Sequence, residues 1–209
     1  MIDNGEVMVR LRRTQERVAE AALRGGRNPD AVRLVAITKT HPVEMIMEAW
    51  AAGQREFGEN RPEEAAEKIP LVNRGVTGGQ PVWHMVGHIQ QRKSPLILEH
   101  FQMVHSIDRI EPAMRLSRLA GEAGRTLPVL LECNVSGEGS KSGFPVARWD
   151  QDDAVREAFF EAVRQVLAEW ARVGGTRVVG AERVSGPPLT LSLEGVPEGK
   201  ALDTADERI

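Results

Sequence analysis

The sequence predicts an α/β fold built on a parallel sheet, either a doubly wound sheet or a (β/α) barrel. Strand-like apolar runs alternate strictly with helix-like segments along most of the chain. The runs at Leu34 to Thr38 and Pro128 to Val135 also lack the polar alternation of a half-exposed strand, as expected where helices cover both faces of a sheet. At 209 residues the chain suits one α/β domain, and the expected organisation is a single domain over 1–209 with a divergent tail over 180–209.

The elements follow in order. Val7 to Leu23 reads as a charged, moderately amphipathic helix, stopped by Gly25-Gly26. After the turn at Asn28-Pro29-Asp30 comes the run Leu34-Val35-Ala36-Ile37-Thr38-Lys39, the first strand. Pro42 opens a helix through Trp50 that Gly53 ends. Arg55 to Asn60 is a second strand, and Arg61-Pro62-Glu63-Glu64 starts a helix with acids in its first turn. Asn73 to Gln80 reads as a loop, Val82 to Gly87 as a third strand and Lys93 to His100 as a third crossover helix. Met103 to Ile107 is a fourth strand and Ile110 to Ala123 a fourth helix. Pro128 to Val135 is a fifth strand, followed by a loop over Ser136 to Gly143. A long helix is expected from Asp152 to Trp170, a sixth strand over Thr176 to Val179 and a further short strand over Leu189 to Leu193. That makes six βα units, and the Gly-, Pro- and charge-rich tail does not supply the two more that a complete barrel requires.

Composition narrows the function. A net charge of -3 gives no electrostatic footprint for nucleic acid or an anionic membrane. One cysteine, Cys133, cannot form an intrachain disulfide and fits a reducing compartment, so a cytoplasmic location is expected. No apolar run has membrane-spanning length, and the first residues do not read as a secretory signal. The five histidines show no zinc-ligand spacing, so no metal is expected.

Lys39 is the first candidate functional residue. It ends a buried strand, at the sheet edge where α/β proteins place their chemistry, although many strand-ending lysines are simply solvated. An amine there is a nucleophile only in its neutral form, which partial burial beside apolar neighbours favours. Asn60 ends the second strand, where it is either a ligand contact or the cap of the next helix. His84 lies within the third strand, as a ligand contact or a hydrogen-bonded interior histidine.

Five segments occur in order: Thr38-Lys39-Thr40, Phe57-Gly58-Glu59-Asn60, Trp83 to Gln90, His105-Ser106-Ile107-Asp108, and Asn134-Val135-Ser136 with Lys141-Ser142-Gly143. Together they resemble the pyridoxal phosphate homeostasis protein family (YggS/PROSC-like), related to the N-terminal barrel of alanine racemase. The resemblance spans about Val7 to Val179. It implies a (β/α) TIM-type barrel of the fold-type III pyridoxal phosphate group, here incomplete at its C-terminus. It implies a protein that binds pyridoxal 5'-phosphate for intracellular homeostasis without turnover, holding it as a Schiff base on Lys39 with Asn60 and His84 near the ring. It also places the Ser136–Gly143 loop on the active face. Racemases resembling this barrel draw on a tyrosine from a second domain, and this chain has no tyrosine, so a racemase-like enzyme is the alternative rather than the expectation. A truncated barrel that binds nothing is the other alternative. The family's phosphate-holding segments, a Ser-x-Gly-Met-Ser strand end and a later Arg-x-Gly, have no match after Gly180. No phosphate-binding residue carries over.

Overall fold

The structure is a computed structural model that describes residues 5–134 and 136–145, together with the backbone of the strands Arg177–Arg183 and Leu189–Glu194. The chain divides into two compact units, Met1–Val86 with His100–Gln102, and Gly87–Glu99 with Met103–Ile209.

The first unit follows the predicted alternation: α1 (Glu6–Arg24), β1 (Val35–Ile37), α2 (Val43–Ala51), β2 (Glu56–Glu59), α3 (Pro62–Gly75) and β3 (Val82–Met85). Glycine stops α1, where the Gly25 N–H returns to Ala21 O at 3.1 Å. Pro62 opens α3 at a position where its missing N–H costs nothing. The strands pair parallel in the order β1-β2-β3, with rungs Val35–Glu56–Val82, Ala36–Phe57–Trp83 and Ile37–Gly58–His84.

Alternation then assigns the faces. Ala36, Phe57, Glu59, Trp83 and Met85 share the face covered by α3. The Phe57 and Trp83 rings pack there at 5.4 Å between centroids, and Trp83 Nε1 donates to Asn73 Oδ1 at 3.1 Å. Ile69 and Val72 of α3 are buried, and each such side chain contributes about 1.5–3 kcal/mol by leaving water. The tryptophan contact explains why α3 runs on to Gly75 through residues expected to form a loop. The opposite face carries Val35, Ile37, Glu56, Gly58, Val82 and His84.

The second unit holds most of α4 (Ser94–His100), then β4 (Met103–Ile107), α5 (Ile110–Glu122), β5 (Val129–Leu131), β6 (Cys133–Asn134), β7 (Phe144–Pro145), β8 (Arg177–Arg183) and β9 (Leu189–Glu194). β4 and β5 are parallel. The fifth strand, expected to be continuous from Pro128 to Val135, breaks at Glu132. The N–H of Glu132 still bonds Ile107 O at 2.8 Å, while its carbonyl accepts from Phe144 N, also at 2.8 Å. Glu132 is therefore where the chain leaves β4 and takes β7 as its partner.

The sixth strand expected at Thr176 to Val179 is present in β8, but it pairs antiparallel with β9. Its connection to β9 has five residues, Val184 to Pro188, enough for a hairpin and too few for a parallel crossover. The long helix expected from Asp152 to Trp170 lies outside the described residues.

Candidate functional site at the C-terminal edge of β1 and β2

Lys39 stands two residues beyond β1, in a turn, and is exposed. The expectation that Lys39 itself ends the strand, with a partly buried amine, is corrected: the strand ends at Ile37 because the backbone turns at Thr40, whose φ is 63°. A β-branched residue in the left-handed region is a genuine outlier. Three contacts hold the turn in place. Thr38 N–H bonds Gly58 O at 2.9 Å, His41 N–H bonds Thr38 O at 3.1 Å, and Thr40 Oγ1 donates to Lys39 O at 2.6 Å.

Asn60 follows β2 directly and is half-buried. It does not cap α3: the cap residue is Arg61, which makes no side-chain cap hydrogen bond. Lys39 and Asn60 thus lie at the same end of adjacent parallel strands, each two residues past the Ile37–Gly58 rung.

His84 completes that rung and is 1% exposed. Its Nε2 lies 3.0 Å from Glu56 Oε2, and Glu56 opens β2, so the imidazole is turned toward the strand starts and away from the edge that carries Lys39. Burial, with a smaller contribution from the Arg33 charge, pushes its pKa down to about 4, leaving the ring neutral at pH 7. The structure therefore groups Lys39 with Asn60 and sets His84 beneath them as part of an uncharged floor. That floor is tightly packed: a Cβ at Gly58 would meet Ile37 Cδ1 at 2.6 Å and Val35 and Val86 methyls at 3.3 Å. Ile37 is nonetheless 45% exposed, giving an apolar platform open on one side.

Behind the turn, on the α3 side, is a cluster that the sequence reading did not pick out. The Lys68 Nζ donates to Glu59 Oε1 at 2.8 Å, Glu64 Oε1 at 2.9 Å and Thr38 O at 3.0 Å. Glu59 Oε1 also accepts from Thr38 Oγ1 at 2.7 Å, and Glu64 Oε1 accepts from Thr40 N–H at 2.8 Å. Glu59 is fully buried and Lys68 nearly so. Burial by itself would lower the lysine pKa, but the bonds to Glu59 and Glu64 outweigh it and raise it. The Lys68 ammonium, with Thr40 N–H second, holds Glu64 below the ordinary carboxylate range. One signal for the cluster was legible, Glu64 and Lys68 at helical i,i+4 spacing.

The second unit has its own polar group after β4. Asp108 Oδ2 lies 3.0 Å from His88 Nδ1, and Arg109 Nη1 is 2.9 Å from Asp108 Oδ1. Arg109 Nη2 also donates to Ile89 O at 3.0 Å. Burial first, and then the Asp108 charge, raises the pKa of Glu132. In the Ser136–Gly143 loop, Asn134 pins the chain by accepting from Gly137 N–H at 3.0 Å and donating to Glu138 O at 2.9 Å. Among the described residues no group of three or more His, Cys, Asp or Glu side chains is placed to hold a metal ion. Nor is any described helix long and apolar enough to cross a membrane.

A lysine at the end of the first parallel strand, beside the end of the second, in an α/β chain of this motif order has close counterparts among known proteins. The model of the alanine racemase N-terminal domain family matches residues 10–165. The chain belongs to that family. Among curated proteins, the pyridoxal phosphate homeostasis protein of Escherichia coli K12 is 42% identical over 142 residues, covering 68% of this chain and 60% of that protein. The chain thus spans about three fifths of that relative's length. Among solved structures, an unknown protein from Bifidobacterium adolescentis is 30% identical with a TM-score of 0.65, covering 79% of this chain and 80% of that one. PipY of Synechococcus elongatus PCC7942, solved with PLP bound, is 32% identical with a TM-score of 0.51, covering 74% of this chain and 82% of PipY. The fold class is that of the alanine racemase N-terminal barrel, and within it the chain groups with the pyridoxal phosphate homeostasis proteins.

Proposed function

We propose that this chain binds pyridoxal 5'-phosphate through the Lys39 amine, as a Schiff base, and serves intracellular homeostasis of that cofactor without turning over a substrate. The observation that supports this most directly is an exposed Lys39 held at the C-terminal edge of β1, above an apolar and uncharged rung. The donor set suits the group. A primary amine meets an aldehyde, the Asn60 carboxamide stands beside it, and Ile37 with neutral His84 below offers a face that does not oppose a flat heteroaromatic ring. When bound, the cofactor supplies its own electrophilic aldehyde and electron-withdrawing ring; the protein contributes attachment, orientation and a drier surface. The E. coli relative is named for this role, and PipY was solved with PLP bound. A single domain, a cytoplasmic location, and no nucleic-acid partner, in line with the net charge of -3, belong to the same reading.

The test is chemical. Pyridoxal phosphate is added to the purified chain, the adduct is reduced with borohydride and the modified peptide is mapped by mass spectrometry. Label on Lys39 that disappears in Lys39→Ala is the expected result. Absence of label on Lys39 in the wild-type chain, or alanine racemisation that vanishes with Lys39→Ala, overturns the reading.

A further inference from the structure

The cluster around Lys68 is oddly placed for a device whose purpose is stability. A buried ion pair seldom gains enough to offset the desolvation of both ions, and hydrophobic replacements are often as stable or more so. Glu59 is fully buried, and among the described residues its Oε2 accepts no hydrogen bond, an arrangement that costs stability. What the cluster does hold is specific. Lys68 Nζ binds the carbonyl of Thr38, which belongs to the peptide group preceding Lys39. Glu64 Oε1 binds the N–H of Thr40, which belongs to the peptide group following Lys39. Lys68 and Glu64 are themselves paired at 2.9 Å. One charge cluster therefore grips the peptide planes on both sides of a single Cα, and that Cα carries the candidate amine. The chain turns into the left-handed φ of Thr40 immediately after the N–H that Glu64 holds. Backbone strain of this kind costs about 1–3 kcal/mol and persists only where the surroundings over-determine it.

We propose that Lys68, together with Glu59 and Glu64, is a positioning device for Lys39: it locks the two peptide groups flanking Lys39 and so fixes the direction in which the amine leaves the sheet. The device rests on the reading that Lys39 holds pyridoxal phosphate, and it works from the side of the strand opposite the cofactor. Lys68 uses all three N–H donors of its ammonium on the clamp. Glu59 anchors it from β2, and Glu64 ties it to the turn.

Two variants of the full chain test this. Glu64→Ala removes the grip on Thr40 from a partly exposed position and leaves the buried pair intact. Lys68→Met/Glu59→Gln removes the grip on Thr38 while deleting both buried charges together. Amide hydrogen exchange at Thr40 is measured without cofactor, and the rate of borohydride-trapped labelling of Lys39 by pyridoxal phosphate is measured separately. In Glu64→Ala, Thr40 exchange is expected to speed up by about tenfold or more, with Phe57 and Trp83 amides unchanged. Lys39 labelling in both variants is expected to slow by about tenfold or more at an unchanged overall fold. Should the double variant fail to fold, Glu64→Ala decides alone. Thr40 exchange indistinguishable from wild type overturns the proposal, as does faster exchange with undiminished labelling. A wild-type chain that takes no label at Lys39 defeats the cofactor reading instead, and the exchange measurement then decides the clamp.

Discussion

β2 carries a glutamate on each of its faces, and the two are treated in opposite ways. Glu59, at the C-terminal end on the α3 side, is fully buried and shares one oxygen between Lys68 and Thr38. Glu56, at the N-terminal end of the other face, keeps part of its side chain in solvent, has Arg33 at 3.7 Å and faces a neutral His84. Charge is thus buried where it can seize the backbone next to Lys39. On the inner face the rung nearest that residue is kept free of charge. An apolar floor and a charged backing are complementary parts of one site.

The contrast can be broken hardest at Lys68. Lys68→Met alone leaves Glu59 buried without its cation, and about 3–5 kcal/mol of stability is expected to vanish in urea unfolding. The paired change Lys68→Met/Glu59→Gln is expected to recover most of that loss. Equal destabilisation by both would mean that the cluster is a stabilising pair after all.

His84 is expected to give the next largest effect, and it is read by pH. Its folded pKa of about 4 lies below the ordinary 6.5, so its contribution is complete above pH 6.5. As pH falls from 6.5 toward 4 the unfolded chain takes up a proton that the native state refuses. Stability is expected to drop by about 3 kcal/mol over that window. His84→Gln is expected to flatten that slope, and a slope unchanged by the substitution would place the titrating group elsewhere.

Smaller still is the effect expected at Gly58. An added methyl there presses on Ile37 Cδ1, which can swing aside, and on two valine methyls that are closely set. Gly58→Ala is expected to cost about 1–2 kcal/mol and to slow labelling of Lys39 by disturbing the platform beside it. The smallest effect belongs to Glu64. Its lowered pKa means that its contribution is complete above pH 4.5 and lost as pH falls below that value. Glu64→Gln, which lacks the charge, is expected to melt within about 1 kcal/mol of wild type at pH 7. Its thermal midpoint is also expected to depend less on pH below 4.5.

Much of the scaffold was legible because it is written in local chemistry. The uninterrupted apolar run before Lys39 announced β1, Pro62 announced the start of α3, and paired glycines announced the end of α1. The departures come from contacts distant in sequence. Nothing near Asn73 says that it will receive the Trp83 indole and keep α3 helical, and nothing near Glu132 says that Phe144 will claim its carbonyl. In the site, Lys39 and Asn60 were visible as polar residues at strand ends, Lys39 after an apolar run and Asn60 at the polar end of a short strand. Of the Lys68 cluster only the i,i+4 spacing to Glu64 was legible, because a charged residue in a helix ordinarily faces water, and only the register of β1 against β2 brings Thr38, Glu59 and α3 together.

The three acceptors around Lys68 have a consequence for chemoselectivity. An aldehyde reacts with whichever amine offers it a lone pair, and this chain places two lysines within one turn's reach of the same backbone carbonyl group. Lys68 is almost fully buried and held as a cation by two carboxylates, with its nitrogen surrounded by acceptors. The cluster that aims Lys39 thereby withdraws its nearest rival from the reaction.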